Sequence, residues 1–137
     1  MGLILDSSVV IAAERRGHTV RQILEQIRAA HGEVDIGLSV VTIAELVHGA
    51  YRTKADADIQ QRMAFIDRLC SDVPVHPFTV ETARMVGRIE GQQAAQGIVI
   101  AFEDLVIGVT ALQLGFDVAT TNVRHFRLIP GLSIVAL

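Results

Sequence analysis

The chain has 137 residues, half of them apolar and 20% charged, which suffices for one domain with a real core and is too apolar for disorder. With no Trp, one Tyr and five Phe, that core must be aliphatic, and the single cysteine, Cys70, excludes both an internal disulfide framework and a cysteine-rich zinc site. A net charge of −3 supplies no overall basic field, which speaks against a simple DNA- or RNA-binding module.

Short aliphatic runs alternate with segments of helical period. LIL at residues 3–5 predicts a buried strand, and a helix starts near Ser7. No basic region precedes this apolar run and Asp6 interrupts it early, so no signal peptide is expected. Gly2 lacks the Ser or Thr that a myristoylation signal places where Asp6 stands. Residues 19–30 predict an amphipathic helix with Val20, Ile23, Leu24 and Ile27 on one face. DIGLS (35–39) is a second strand ending at Ser39, a good N-cap for a helix over 40–51. The next helix, 57–70, spaces Ile59, Met63, Ile66 and Leu69 along one face and ends at Cys70, which is expected to be a small core residue. VPVHPF (73–78), bracketed by prolines, predicts an edge strand. Thr79 caps a helix over 80–96 that Gly97 ends. IVIAF (98–102) is far too short to span a bilayer. A last helix, 104–115, stops at Gly115, and FDVATT (116–121) and LSIVAL (132–137) close the chain as strands. This alternation implies one α/β domain over 1–137, a parallel sheet with helices on both faces, in a cytoplasmic protein.

Three acids sit where the flanking pattern is apolar. In open α/β sheets ligands bind beyond the carboxyl ends of the strands, and Asp6 directly follows the first strand. An Asp at that junction is equally a favoured N-cap. Glu45 lies among Ile43, Ala44, Leu46 and Val47, too far past Ser39 to complete its capping box, although pairing with an arginine or pointing outward also accommodates it. Asp104 sits between apolar runs beside Glu103. Adjacent helical residues point about 100° apart, so one of the two faces the sheet edge while the other caps. Burying unpartnered carboxylates costs on the order of several kcal/mol each, and mutual repulsion raises their pKa values. No Lys or Arg lies close by in these runs to neutralise them. A divalent cation explains all three together, and an oxygen-only donor set suits Mg²⁺ or Mn²⁺. Asn122, after the strand at 116–121, reaches the same edge or serves as a turn or cap residue.

The stretches ILDSSVVI (4–11), TIAELVHG (42–49), EDLVIGVTAL (103–112) and VATTNVRHF (118–126), followed by IPGL, together resemble the PIN domain, in particular the VapC-like toxins of bacterial toxin–antitoxin pairs. The resemblance spans essentially the whole chain. It implies a metal-dependent ribonuclease on a five-stranded parallel sheet flanked by helices. By motif, Asp6, Glu45 and Asp104 match the acidic centre, Asn122 falls where many members carry a fourth acid, and Thr120 and Ser7 match supporting polar positions. It implies in-line hydrolysis of RNA by a metal-activated water, leaving a 5′-phosphate and a 3′-hydroxyl. It also implies a small antitoxin whose C-terminal segment covers the active-site groove, and a homodimer. The segment 40–51 and the following helix offer a groove for such a partner, or are simply core.

The basic residues are eleven arginines against the single Lys54. Arg15, Arg16, Arg124 and Arg127 fall near the predicted site, either to hold phosphates or as solvated surface charge. Three other readings are weaker. A PIN-like binding module with little catalysis has no use for all three acids. A receiver-like phosphoacceptor needs a lysine at the sheet edge, whereas Lys54 lies between helices. Glu45-x-x-His48 has the spacing of a di-iron motif but no second copy, and the remaining histidines are scattered, expected to be structural or exposed.

Overall fold

Gly2–Leu5 forms the first strand, β1, and all four residues are buried. In this computed structural model, which describes all of Met1–Leu137, β1 is the central strand of the sheet. Its side chains alternate between two cores, as the period of a strand dictates. Leu3 and Leu5 enter one apolar cluster, Ile4 the other.

Helices α1 (Ser7–Arg15) and α2 (Val20–His31) lead from β1 to β2 (Asp35–Ser39). Next come α3 (Val40–Tyr51), α4 (Asp56–Asp72) and the two-residue β3 (Val75–His76). The chain then runs through α5 (Val80–Ala94), α6 (Phe102–Leu114), β4 (Asp117–Thr120), α7 (Val123–Phe126) and β5 (Ile134–Ala136). The strands pair in the order β3-β2-β1-β4-β5, every pair parallel. From β1 the chain builds outward on one side through β2 and β3, then crosses back to add β4 and β5 on the other. The strand order therefore reverses between β1 and β4, and a crevice opens beyond their carboxyl ends.

The caps expected at Ser39 and Thr79 form, and Thr19 supplies a further one. The Thr19 hydroxyl accepts from the Gln22 N–H, and the Gln22 side-chain oxygen accepts from the Thr19 N–H, closing a capping box on α2. Ser39 accepts from Val41 N–H and Thr79 from Thr82 N–H. Gly115 ends α6 at φ +69, a left-handed position that favours glycine. The first face of the sheet packs against α1–α4 through Val10, Ile23, Leu46, Ile66 and Leu69; the second packs against α5–α7 through Val86, Leu105, Val109 and Phe126. Gly108 allows the closest approach on that second face, since a Cβ there would stand 2.5 Å from Ile129 Cδ1.

Three expectations are corrected, and one element is new. Cys70 is exposed, because Ile66 and Leu69 define the buried stripe of α4 and the next residue turns away from it. The helix over 80–96 ends at Ala94, and Gly97 closes the turn that follows. Helix α6 starts at Phe102 with Ala101 as N-cap, so neither Glu103 nor Asp104 caps it; both lie in its first turn. Helix α7 was not anticipated, being four residues long and too short to show a period. No helix is long and apolar enough to cross a membrane.

Helix α7 is tied to the core by a fully buried Phe126. Phe126→Ala should lower unfolding free energy by roughly 3–5 kcal/mol in denaturant titrations, with Phe126→Leu costing much less.

Candidate active site

Asp6 leaves β1 at the point where the strand order reverses, and its N–H donates to the Ala119 carbonyl of β4 at 2.9 Å. It occupies the N-cap position of α1, yet its side chain caps nothing. Asp6 is 4% exposed, and its Oδ2 accepts two hydroxyl hydrogen bonds, from Ser8 at 2.7 Å and Thr120 at 2.8 Å. Capping therefore does not explain this aspartate. Its partners come from the start of α1 and the end of β4.

Helix α3 carries Glu45 and the first turn of α6 carries Glu103 and Asp104, and their charges act on one another. The Glu45 pKa is raised to about 7, chiefly by burial and then by the charges of Asp6, Glu103 and Asp104. Hydrogen bonding by the Ser7 side chain pulls it the other way, while Oε1 is buried and has no partner. No arginine pairs with Glu45. Asp104 is likewise raised, by burial first and then by Asp6 and Glu103, while His125 opposes the shift. His125 Nδ1 stands 3.6 Å from Asp104 Oδ2, an ion pair when the imidazole is protonated. Asp6, Glu45 and Asp104 are thus gathered at one edge as the sequence suggested. Glu103 joins them from the exposed side of the same turn, so the choice between Glu103 and Asp104 was too narrow. No three side chains converge as a ready ligand set; the carboxylates share a field without sharing a point.

The Asn122 N–H donates to Thr120 Oγ1 at 2.8 Å, while its side chain is exposed and caps no N–H of α7. The backbone of Asn122 is therefore bound to the Asp6 network, but the amide itself is not. Ser8 and His125 were missed by sequence reasoning. Their signal was slight: a second serine in DSS, and a histidine three residues past Asn122.

A groove of about 840 Å³ opens from these acids between α1, α3 and α4, lined at the acidic end by Ser7, Glu45 and Glu103. Arg15, Arg52 and Arg62 line it further along, none paired with a carboxylate, and Arg62 Nη1 donates to the Gly49 carbonyl at 3.1 Å. Of the arginines expected near the site, Arg15 alone lines this groove. Arg16 borders a separate apolar hollow beside Ala12 and Ile27, and Arg124 and Arg127 are exposed at α7.

The sequence profile of the PIN domain matches residues 3–132. The chain belongs to the PIN-domain family. Ribonuclease VapC1 of Rickettsia felis is 31% identical over 137 residues, covering 100% of this chain and 97% of that protein. Among solved structures, VapBC2 from Rickettsia felis bound to a promoter DNA fragment superposes with a TM-score of 0.83 at 20% identity, covering 100% of this chain and 99% of that one. VapBC-5 from Mycobacterium tuberculosis, a member of the VapBC family of toxin-antitoxin systems, gives a TM-score of 0.73 at 25% identity, covering 100% and 98%. The PIN and VapC resemblance and the five-stranded parallel sheet both stand.

A titration follows from Glu45. Between about pH 4.5 and about pH 7 the folded chain keeps a proton on Glu45 that the unfolded chain has released. Stability of the metal-free protein should therefore fall as pH rises through that window and level off above it. Thermal melts of Glu45→Gln should show a flatter slope and, at about pH 8, a higher midpoint than the parent.

Proposed function

We propose that this chain is a VapC-type endoribonuclease, the toxin of a toxin–antitoxin pair, which hydrolyses RNA in the cytoplasm with the help of a divalent cation. The observation that carries this is the buried, unpartnered Oε1 of Glu45 in the field of three further carboxylates. That oxygen has lost water without gaining a protein donor, a state that costs stability unless something cationic completes it. The carboxylates offer oxygen donors, which suit Mg²⁺ or Mn²⁺. Asp6, Glu45 and Asp104 would hold the ion, and Asn122 would offer a neutral amide oxygen from the neighbouring turn. Bound there, the ion would supply Lewis acidity toward a phosphate oxygen and lower the pKa of a water.

The chain's own groups divide the rest of the work. Glu45, a carboxylate at the acidic end of the groove, is suited to orient the attacking water and accept its proton. Asp6 is held rigid by two hydroxyls and supplies a fixed negative charge. Attack of the water oxygen on phosphorus, in line with the 3′ oxygen, would break the P–O3′ bond; the departing 3′ oxygen takes a proton from solvent, which leaves a 5′-phosphate and a 3′-hydroxyl. Arg15, Arg52 and Arg62, free of carboxylate partners, are placed to take flanking phosphates, so the net negative charge does not bar RNA. The ribonuclease name of the 31% identical relative supports this assignment. A module that only binds would gain nothing from so repulsive a cluster.

Asp6→Asn separates the two readings. It should lower Mg²⁺-dependent RNA cleavage by more than about 100-fold. The metal-free melting temperature should stay equal or rise, because the substitution relieves repulsion. Unchanged cleavage with clear loss of stability would return Asp6 to a structural role.

Two partners belong to the same reading. The groove floor carries Ile11, Leu46, Phe65 and Ile66, an apolar bed for a segment of a cognate antitoxin, in keeping with the toxin–antitoxin membership of VapBC-5. For the homodimer, the support is an exposed aromatic pair. Phe78 and Phe102 meet edge-to-face with ring centroids 6.0 Å apart, and both leave much of their surface to solvent. Phe102→Arg should shift the chain toward monomer in sedimentation velocity runs. A sedimentation coefficient identical to the parent's would remove this surface from the dimer.

A further inference from the structure

We propose that Ser8 is a positioning residue for Asp6, determining which carboxylate oxygen faces the site and tying that choice to the turn that carries Asn122. The proposal rests on the reading of Asp6 as a ligand.

Two hydroxyls converge on one oxygen of Asp6. Ser8 Oγ donates to Oδ2 at 2.7 Å and Thr120 Oγ1 to the same Oδ2 at 2.8 Å. Each hydroxyl has a single proton to give. The acceptor side of each is taken by backbone: Thr121 N–H donates to Ser8 Oγ at 3.1 Å, and Asn122 N–H to Thr120 Oγ1 at 2.8 Å. The two hydroxyls approach each other only to 3.4 Å, longer than either bond to the carboxylate. Both protons therefore point at Oδ2, and Oδ1 is left with no protein partner.

Rotation about the terminal bond of an aspartate is soft and two-fold when nothing restrains it. Here rotation would break two charge-assisted hydrogen bonds at once. Ser8 adds a link that Thr120 does not, since it stands at the start of α1 and ties that helix to the turn after β4 through the Thr121 N–H. It thereby couples the orientation of Asp6 to the position of Thr121, the residue before Asn122. Thr120, fully buried at the end of β4, serves the sheet as well as the carboxylate, which makes Ser8 the cleaner probe.

The test uses the full chain and Mn²⁺ as the probe, with calorimetric titration of the parent, Ser8→Ala, Ser8→Thr and Asp6→Asn, alongside RNA cleavage kinetics and metal-free thermal melts. Ser8→Ala should weaken Mn²⁺ binding about 10- to 100-fold and lower kcat with little change in KM for RNA, while Ser8→Thr restores both. A purely structural serine would instead shift the melt without that split. Ser8→Cys, close in shape but a weak donor, serves if the alanine variant folds poorly, and should show the same loss. If Asp6→Asn loses Mn²⁺ binding while Ser8→Ala and Ser8→Cys keep the parent's affinity, the positioning role is overturned and the ligand role of Asp6 survives. If Asp6→Asn binds Mn²⁺ as tightly as the parent, both fall together.

Discussion

Repulsion among carboxylates gathered at one sheet edge is the constraint to which the rest of this chain answers. Asp6, Glu45, Glu103 and Asp104 come from three separate elements, and each raises the cost of ionising another. Left to itself such a cluster would spread. It is held by backbone that cannot move: the Asp6 N–H is bonded into β4, and helices α3 and α6 are clamped between apolar layers on opposite faces of the sheet. Core packing on both faces thus fixes the acids in place.

The strain is not shared equally, and helix geometry says why. Asp6 stands at the N-terminal end of α1, and Glu103 and Asp104 lie in the first turn of α6, where the positive end of a helix favours a negative charge. Asp6 also has its two hydroxyl donors, and Asp104 has His125. Glu45 lies past the first turn of α3, beyond the reach of that dipole, with one oxygen buried and unpartnered. The acid with the least local support is the one pushed to about 7. It is therefore the group whose protonation a bound cation would alter most, since a ligand's charge and a proton compete for the same oxygen.

The sheet was legible because its strands are short aliphatic runs ended by recognisable caps, as at LIL before Asp6 and DIGLS before Ser39. The acids were legible for a related reason: a charge inside an apolar run has no bland surface position to occupy. What was hidden depends on contacts between residues far apart in sequence. Ser8 meets Thr121 across the β1–β4 crevice, and Arg52 and Arg62 reach the groove only because α3 and α4 fold back on each other. Helix α7 is too short for any period to betray it, and Cys70 was misplaced by a single step around α4. His125 looked like one of several scattered histidines until α7 brought it to Asp104.

The groove gives the acidic edge a second consequence. Its acidic mouth and its unpaired Arg15, Arg52 and Arg62 set opposite charges along one channel, above an apolar floor. A nucleic acid strand needs the mouth neutralised before its phosphates can enter, which a dication would accomplish. A protein segment could use the same floor and neutralise the same mouth with a basic side chain of its own. Both occupants draw on one electrostatic field, and the carboxylates can be satisfied by only one of them at a time. In a toxin of this family, the repulsion that would favour a cation at this edge would also favour inhibition by any partner that brings one.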